Sequence, residues 1–123
     1  MKKLFSLCIL SIALLLITNN RINAQQPVTV KGTWNMSVET SAGSGSPTFE
    51  LKHLTDSTLE GTYRGSLGET TLKGTLKGNK IYIVFTVSGI DIEYTGTVDG
   101  DTMKGTVVLG TMGDGTFTGT RKK

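Results

Sequence analysis

Few side chains in this sequence are of the types that catalyse reactions or bind metals. His53 is the only histidine, and Cys8, the only cysteine, lies in the apolar N-terminal segment. A histidine serves as a metal ligand only when further ligands lie beside it, and the residues around His53 supply none. We therefore interpret His53 as a structural histidine at the end of a strand, close to a turn.

The acidic residues do not have the spacing of a functional site either. The segment Asp99-Gly100-Asp101 does not match a calcium-binding loop, and Asp-Gly is a dipeptide that tight hairpins require. Four glutamates fall where the strand pattern points outward, so they predict no buried carboxylate pair: Glu39, Glu50, Glu60 and Glu93. The sequence thus predicts a protein without enzymatic activity, metal or cofactor.

The first 24 residues have the composition of a secretory signal peptide. A basic start (1–3) precedes an almost wholly apolar run (4–17), and a polar stretch then ends in Ile22-Asn23-Ala24. The apolar run is short for a helix that spans a membrane. The sequence therefore predicts a signal peptide at 1–24, a single domain at 25–123 and a secreted or periplasmic protein without stable membrane insertion. An uncleaved membrane anchor is the alternative.

The net charge of +3 belongs to that N-terminal segment. Three of the 13 basic residues lie in it, namely Lys2, Lys3 and Arg21, and none of the 10 acidic ones does. The remaining chain therefore has equal numbers of acidic and basic residues. Without excess positive charge it lacks the electrostatic basis for binding nucleic acid, and we expect no nucleic-acid partner.

Apolar and polar residues alternate along the rest of the chain, and no window has helical periodicity. Alternation with a period of two predicts β-strands. Turn-forming residues such as Gly78-Asn79 separate the strands, and the glycine- and serine-rich stretch 41–47 is expected to be a flexible loop. Eight strands are predicted, within 25–40, 48–54, 58–66, 70–77, 80–88, 90–98, 101–109 and 115–121.

A pattern of apolar-x-Gly-x-apolar recurs on these strands and predicts how they close. Its glycines share a strand face with the apolar residues and lie nearer one end of the strands: Gly32, Gly61, Gly74, Gly96, Gly105 and Gly119. Inward glycines allow tight coiling around a bulky side chain such as Trp34. With no helix to cover a sheet edge, we predict an all-β, eight-stranded antiparallel up-and-down β-barrel. A β-sandwich or an outer-membrane barrel is the alternative.

The two ends of this domain resemble a known superfamily. Gly32-Thr33-Trp34 opens the first strand, Gly119-Thr120-Arg121 closes the last, and Leu59-Glu60-Gly61-Thr62-Tyr63 lies on the third. The chain resembles the calycin superfamily, which includes lipocalin-like and avidin-like barrels, and within it the small lipocalin-like domains of secreted bacterial proteins. The resemblance implies a closed end at which Arg121 lies against Trp34, beside Gly32. The single tryptophan departs from the biotin sites of avidin-type barrels.

Inward-facing residues farther from the glycines are candidates for binding a ligand. Tyr63 and Tyr94 would bring hydroxyl groups into an otherwise apolar interior, as small-molecule pockets require. The predicted ligand-binding residues are Met36, Tyr63, Phe85, Tyr94, Val107 and Phe117. These side chains either line a cavity for a small hydrophobic molecule or fill the barrel. In the second case the protein is a cargo-free structural or protein-interaction module, and the sequence identifies no protein partner.

Overall fold

The computed structural model describes residues 28–123, so the predicted signal peptide at 1–24 lies outside the described residues. That part of the chain is all-β, and it contains no helix long and apolar enough to cross a membrane. The strands are β1 (Gly32–Thr40), β2 (Gly43–Gly45), β3 (Thr48–His53), β4 (Thr58–Gly65), β5 (Gly68–Lys77), β6 (Lys80–Val87), β7 (Ile90–Asp99), β8 (Thr102–Leu109) and β9 (Asp114–Arg121).

Eight of these strands form a closed antiparallel barrel. Strands β3 to β8 each pair with the next strand along the chain, and β1 pairs with β3 on one edge and with β9 on the other. The closing pair runs from Trp34 opposite Arg121 to Thr40 opposite Gly115. Because the first and last strands are hydrogen-bonded, the sheet closes on itself. The predicted eight-stranded up-and-down barrel is confirmed, and the β-sandwich is excluded.

The ninth strand, β2, corrects the prediction that 41–47 is a flexible loop. Gly43–Gly45 folds back and pairs with Val38–Thr40 at the end of β1. The amide of Met36 also donates a hydrogen bond of 2.9 Å to the carbonyl of Pro47. The segment pairs there because β3 reaches only the first half of β1, and the second half needs partners for its backbone groups.

The barrel has two different ends, which we call the floor and the mouth. The floor comprises the start of β1, the end of β9 and the turns β3–β4, β5–β6 and β7–β8. The mouth comprises β2 and the turns β1–β2, β4–β5, β6–β7 and β8–β9. Gly78 (φ 61°) and Gly100 (φ 60°) occupy two of the floor turns in the left-handed conformation that their predicted hairpins require.

Inward-facing residues from all eight barrel strands form one hydrophobic core. The glycines of the repeated pattern lie nearer the floor end of their strands than the mouth end. Gly61 shows why a side chain is excluded at such a position. A Cβ there would collide with the carbonyl oxygen of Glu50, because β3 and β4 approach closely at this point.

Candidate functional site

Trp34 closes the barrel at the floor. Its side chain is fully buried, and its indole Nε1 donates a hydrogen bond of 2.9 Å to the carbonyl of Val30. The guanidinium carbon of Arg121 lies 4.7 Å from the centroid of the Trp34 ring. A cation over an indole face contributes about 0.5–2 kcal/mol. The register of β1 against β9 brings these two residues together, so the contact forms only when the barrel closes.

Arg121 also ties three segments of the floor together. Its Nη1 and Nη2 donate to the carbonyls of Lys31 (2.8 Å) and Thr29 (2.9 Å) in the segment before β1. Nη2 also donates to the carbonyl of Gly100 (3.0 Å), and Nε to Oδ1 of Asp101 (2.9 Å), in the β7–β8 turn. The guanidinium group has donors on three nitrogens and can bond in several directions at once, which the single ammonium nitrogen of lysine cannot do. Gly32 begins β1 beside the Arg121 side chain.

His53 holds the same N-terminal segment from the other side. Its Nε2 accepts a hydrogen bond of 3.1 Å from the amide of Val30, and its Nδ1 lies 3.3 Å from the carbonyl oxygen of Thr55. An acceptor at Nε2 requires the neutral tautomer with its proton on Nδ1. Both ring nitrogens are therefore engaged with the backbone. Within residues 28–123 no group of three or more His, Cys, Asp or Glu side chains could hold a metal ion.

Aromatic rings fill the middle of the barrel. Phe49 lies 5.0 Å from Tyr94 between ring centroids, Tyr63 stacks on Phe85 at 4.5 Å, and Phe117 meets Tyr94 edge-on at 5.0 Å. At these separations the rings are in direct contact, as in the close-packed interior of any protein. A ligand could enter this layer only by displacing the rings.

Above the aromatic layer, the mouth contains a recess of about 120 Å³. Its walls come from the mouth ends of β1, β4, β7 and β8, from β2 and from the neighbouring turns. The apolar side chains of the lining are Val38, Ala42, Pro47, Tyr63, Leu67, Ile92, Tyr94, Leu109 and Met112. An apolar cavity of about 150 Å³ accommodates benzene. The recess is therefore of the size of one ring or one short branched chain.

The predicted ligand-binding residues separate into two groups. Tyr63 and Tyr94 line the recess. The other four are buried in the core and do not line it: Met36, Phe85, Val107 and Phe117. Ile92 does line it, and its inward phase at the mouth end of β7 was a signal available in the sequence. The wall contributed by β2 had no such signal, because its residues are only glycine and serine.

Tyr94 presents an unusual hydroxyl group to the recess. The residue is only 3% exposed, and within residues 28–123 its hydroxyl forms no hydrogen bond. No fully buried side-chain N or O atom in that range lacks a partner, so this oxygen reaches the open space of the recess. Burial, and secondarily the nearby Tyr63, raise the pKa of Tyr94. Burial also raises the pKa of Tyr63, against a hydrogen bond with the Leu67 backbone. Both phenols are therefore neutral donors at physiological pH.

No family model matches this chain, and no curated protein matches it. Among solved structures, the chain is similar to EF1p2_mFAP2b bound to DFHBI, with a TM-score of 0.59 and 18% sequence identity. The alignment covers 75% of this chain and 93% of that chain. At this level of identity the similarity shows a shared fold. It agrees with the closed barrel described above.

Proposed function

We propose that this protein binds a small, largely apolar molecule in the recess at its mouth. The observation that carries the proposal is the recess of about 120 Å³, which is lined largely by apolar side chains and is reached by the hydroxyl of the otherwise buried Tyr94. A mostly apolar pocket with a few polar groups is typical of small-molecule sites, and a hydrogen bond from this hydroxyl to a ligand acceptor would contribute about 0.5–1.5 kcal/mol. A ligand with one ring and one acceptor oxygen would fit the volume of the recess and accept a hydrogen bond from the Tyr94 hydroxyl.

The similar barrel bound to DFHBI supports this proposal at the level of fold. We further propose that the chain is a calycin-like, lipocalin-like barrel, which the motif at Gly32-Thr33-Trp34 and the placement of Arg121 support. We propose that it acts by binding and not by catalysis, because its only histidine is engaged with the backbone at the floor. Secretion or a periplasmic location remains a proposal that rests on residues 1–24. Sequencing the mature N-terminus tests it, and Gln25 is the expected first residue.

The alternation of strand faces gives a matched pair of variants that tests ligand binding. Gly45 lies opposite the inward-facing Val38 and lines the recess, whereas Ser37 lies on the outer face of β1 and does not line it. Gly45→Leu should fill the recess and abolish binding of acetophenone, followed by protein-observed NMR titration. Ser37→Leu adds a leucine side chain outside the barrel and should leave binding unchanged. Tyr94→Phe should weaken acetophenone binding about 2- to 12-fold, the value of one hydrogen bond.

Binding that survives Gly45→Leu unchanged would refute the proposed site. The close-packed aromatic layer favours a second candidate, a cargo-free interaction module, since it leaves little interior volume. For that candidate, purified protein should yield no apolar compound to solvent extraction and mass spectrometry, and no single-ring probe should shift the signals of the residues that line the recess.

A further inference from the structure

Charge is segregated along the barrel axis, although residues 28–123 carry equal numbers of acidic and basic side chains. All lysines of this range lie at floor turns, beyond the floor end of the barrel or nearer the floor end of their strand: Lys31, Lys52, Lys73, Lys77, Lys80, Lys104, Lys122 and Lys123. Most of the acidic residues lie nearer the mouth: Glu39, Glu50, Glu69, Asp91, Glu93 and Asp114. Arg64 is the one basic residue of this range in the mouth half.

The carboxylates around the mouth are not equally neutralised. Arg64 forms ion pairs of 3.0 Å with both Glu50 and Glu69, on one side of the mouth. Within residues 28–123 no salt bridge involves the other four: Glu39, Asp91, Glu93 and Asp114.

These four lie on the outer face of β7, β9 and β1. Glu39 is a diagonal neighbour of Asp114 across the β1–β9 pair, and Asp114 and Glu93 lie on either side of Val108 of β8. On its other side, Glu93 is separated from Lys73 in the same way, by Val84 of β6. The mouth therefore has an acidic side that is centred on Glu39 and Asp114.

We propose that the recess selects small cationic amphiphiles, such as arylalkyl amines, with the ring in the recess and the ammonium group at the acidic rim. This inference rests on the proposed function. No charged residue lines the recess, so the charged end of such a ligand lies outside it, nearest the carboxylates. The same field disfavours carboxylate ligands, fatty acids included.

The expected size of this selectivity follows from distance and screening. For an ammonium group at the mouth we take a separation from these outer-face carboxylates on the order of 10 Å, similar to the spacing of two packed sheets. With a Debye length of about 30 Å at 0.01 M salt, four such charges together favour a cation over a neutral analogue by roughly tenfold. At 0.15 M salt the Debye length falls to about 8 Å, and the preference should fall to roughly twofold.

Three probes of the same size test the inference. Phenethylamine, phenethyl alcohol and phenylpropionate share a ring and a short chain but differ in charge. Their affinities for the protein, measured by NMR titration at low and at physiological salt, should follow the order amine, alcohol, carboxylate, and the differences should shrink with salt. Equal affinity of the amine and the alcohol at low salt would overturn the charge selectivity and leave the proposed function intact. No binding of any probe would overturn both.

A double variant tests whether the carboxylates at the mouth cause the preference for the amine. Glu39→Gln with Asp114→Asn removes two charges whose side chains form no hydrogen bond or ion pair within the described part of the chain, and should weaken amine binding at low salt about threefold. Asp56→Asn with Glu60→Gln removes two charges near the floor and serves as the matched control. The affinity for phenethyl alcohol should be unchanged in both double variants. Equal effects of the two double variants on the amine would overturn the inference.

Discussion

The floor and the mouth of this barrel differ in where their polar side chains find hydrogen-bond partners. At the floor, Trp34 is fully buried, the Arg121 side chain donates four hydrogen bonds, and both nitrogens of His53 contact the backbone. At the mouth, the Tyr94 hydroxyl reaches the open space of the recess, and β2 is a three-residue strand. The comparison indicates that the floor supplies stability and that the mouth retains a hydrogen-bond donor that a ligand can use.

The largest difference is expected from truncating the buried tryptophan. Trp34→Ala should lower the free energy of unfolding by about 3–5 kcal/mol, because a large buried side chain is replaced by a cavity. Met112→Ala at the mouth, where the side chain is 53% exposed, should change it by no more than about 0.5 kcal/mol. Urea denaturation of the two variants measures the contrast. Similar losses would show that the two ends do not differ in their contribution to stability.

A charge-conserving change at the floor should have the next largest effect. Arg121→Lys keeps the positive charge but loses the guanidinium fork, and should cost about 1.5–3 kcal/mol in the free energy of unfolding. Arg64→Lys is the control at the mouth, where both ion pairs of Arg64 are exposed to water and salt, and little change is expected. If lysine at position 121 preserved stability, the hydrogen bonds of Arg121 would not be what closes the floor.

A pair of glycines tests strand packing in the same way. Gly61→Ala should destabilise the protein by about 1–3 kcal/mol, because the new methyl group meets the carbonyl of Glu50. Gly45→Ala lies beside the recess, with the nearest atom 4.0 Å from the added carbon, and should be tolerated within about 0.5 kcal/mol. Thermal unfolding of both proteins is the measurement. A tolerated Gly61→Ala would mean that β3 and β4 can separate without cost.

The smallest effect at neutral pH is expected from the mouth itself. Tyr94→Phe removes no hydrogen bond within residues 28–123 and should change the free energy of unfolding by less than about 1 kcal/mol. In alkaline solution the variant should differ from the parent. Burial raises the pKa of Tyr94 in the folded protein, whereas in the unfolded chain it titrates near the ordinary value of 10.0.

The sign of this pH dependence follows from proton binding. Above the ordinary pKa, the unfolded chain releases a proton that the folded chain keeps, so the stability of the parent protein falls as the pH rises. Tyr94→Phe should show a smaller fall, with the remainder due to the other tyrosines. Urea denaturation at neutral and alkaline pH measures both. Parallel curves for the two proteins would mean that Tyr94 is not kept neutral by burial.

Much of the fold was predictable from local patterns. The alternation of apolar and polar residues marks the strands, and Asp99-Gly100 and Gly78-Asn79 mark two hairpin turns. The number of barrel strands and their antiparallel order follow from short turns between consecutive strands. The strand β2 was missed because its residues, Gly43–Gly45, have no apolar side chain, so no alternation could reveal it.

The sequence by itself determined which residues face inward and that consecutive strands run antiparallel, because strand periodicity and turn chemistry act between near neighbours. The pairing of β1 with β9, which distinguishes a closed barrel from a sandwich, was decided by the tertiary structure. Only the tertiary structure decided that Tyr94 reaches the recess while Phe85 is packed below it, and that acidic and basic residues separate toward opposite ends. Both depend on height along the barrel axis. That height is set by the stagger of paired strands and by packing across the interior, which join residues far apart in the chain.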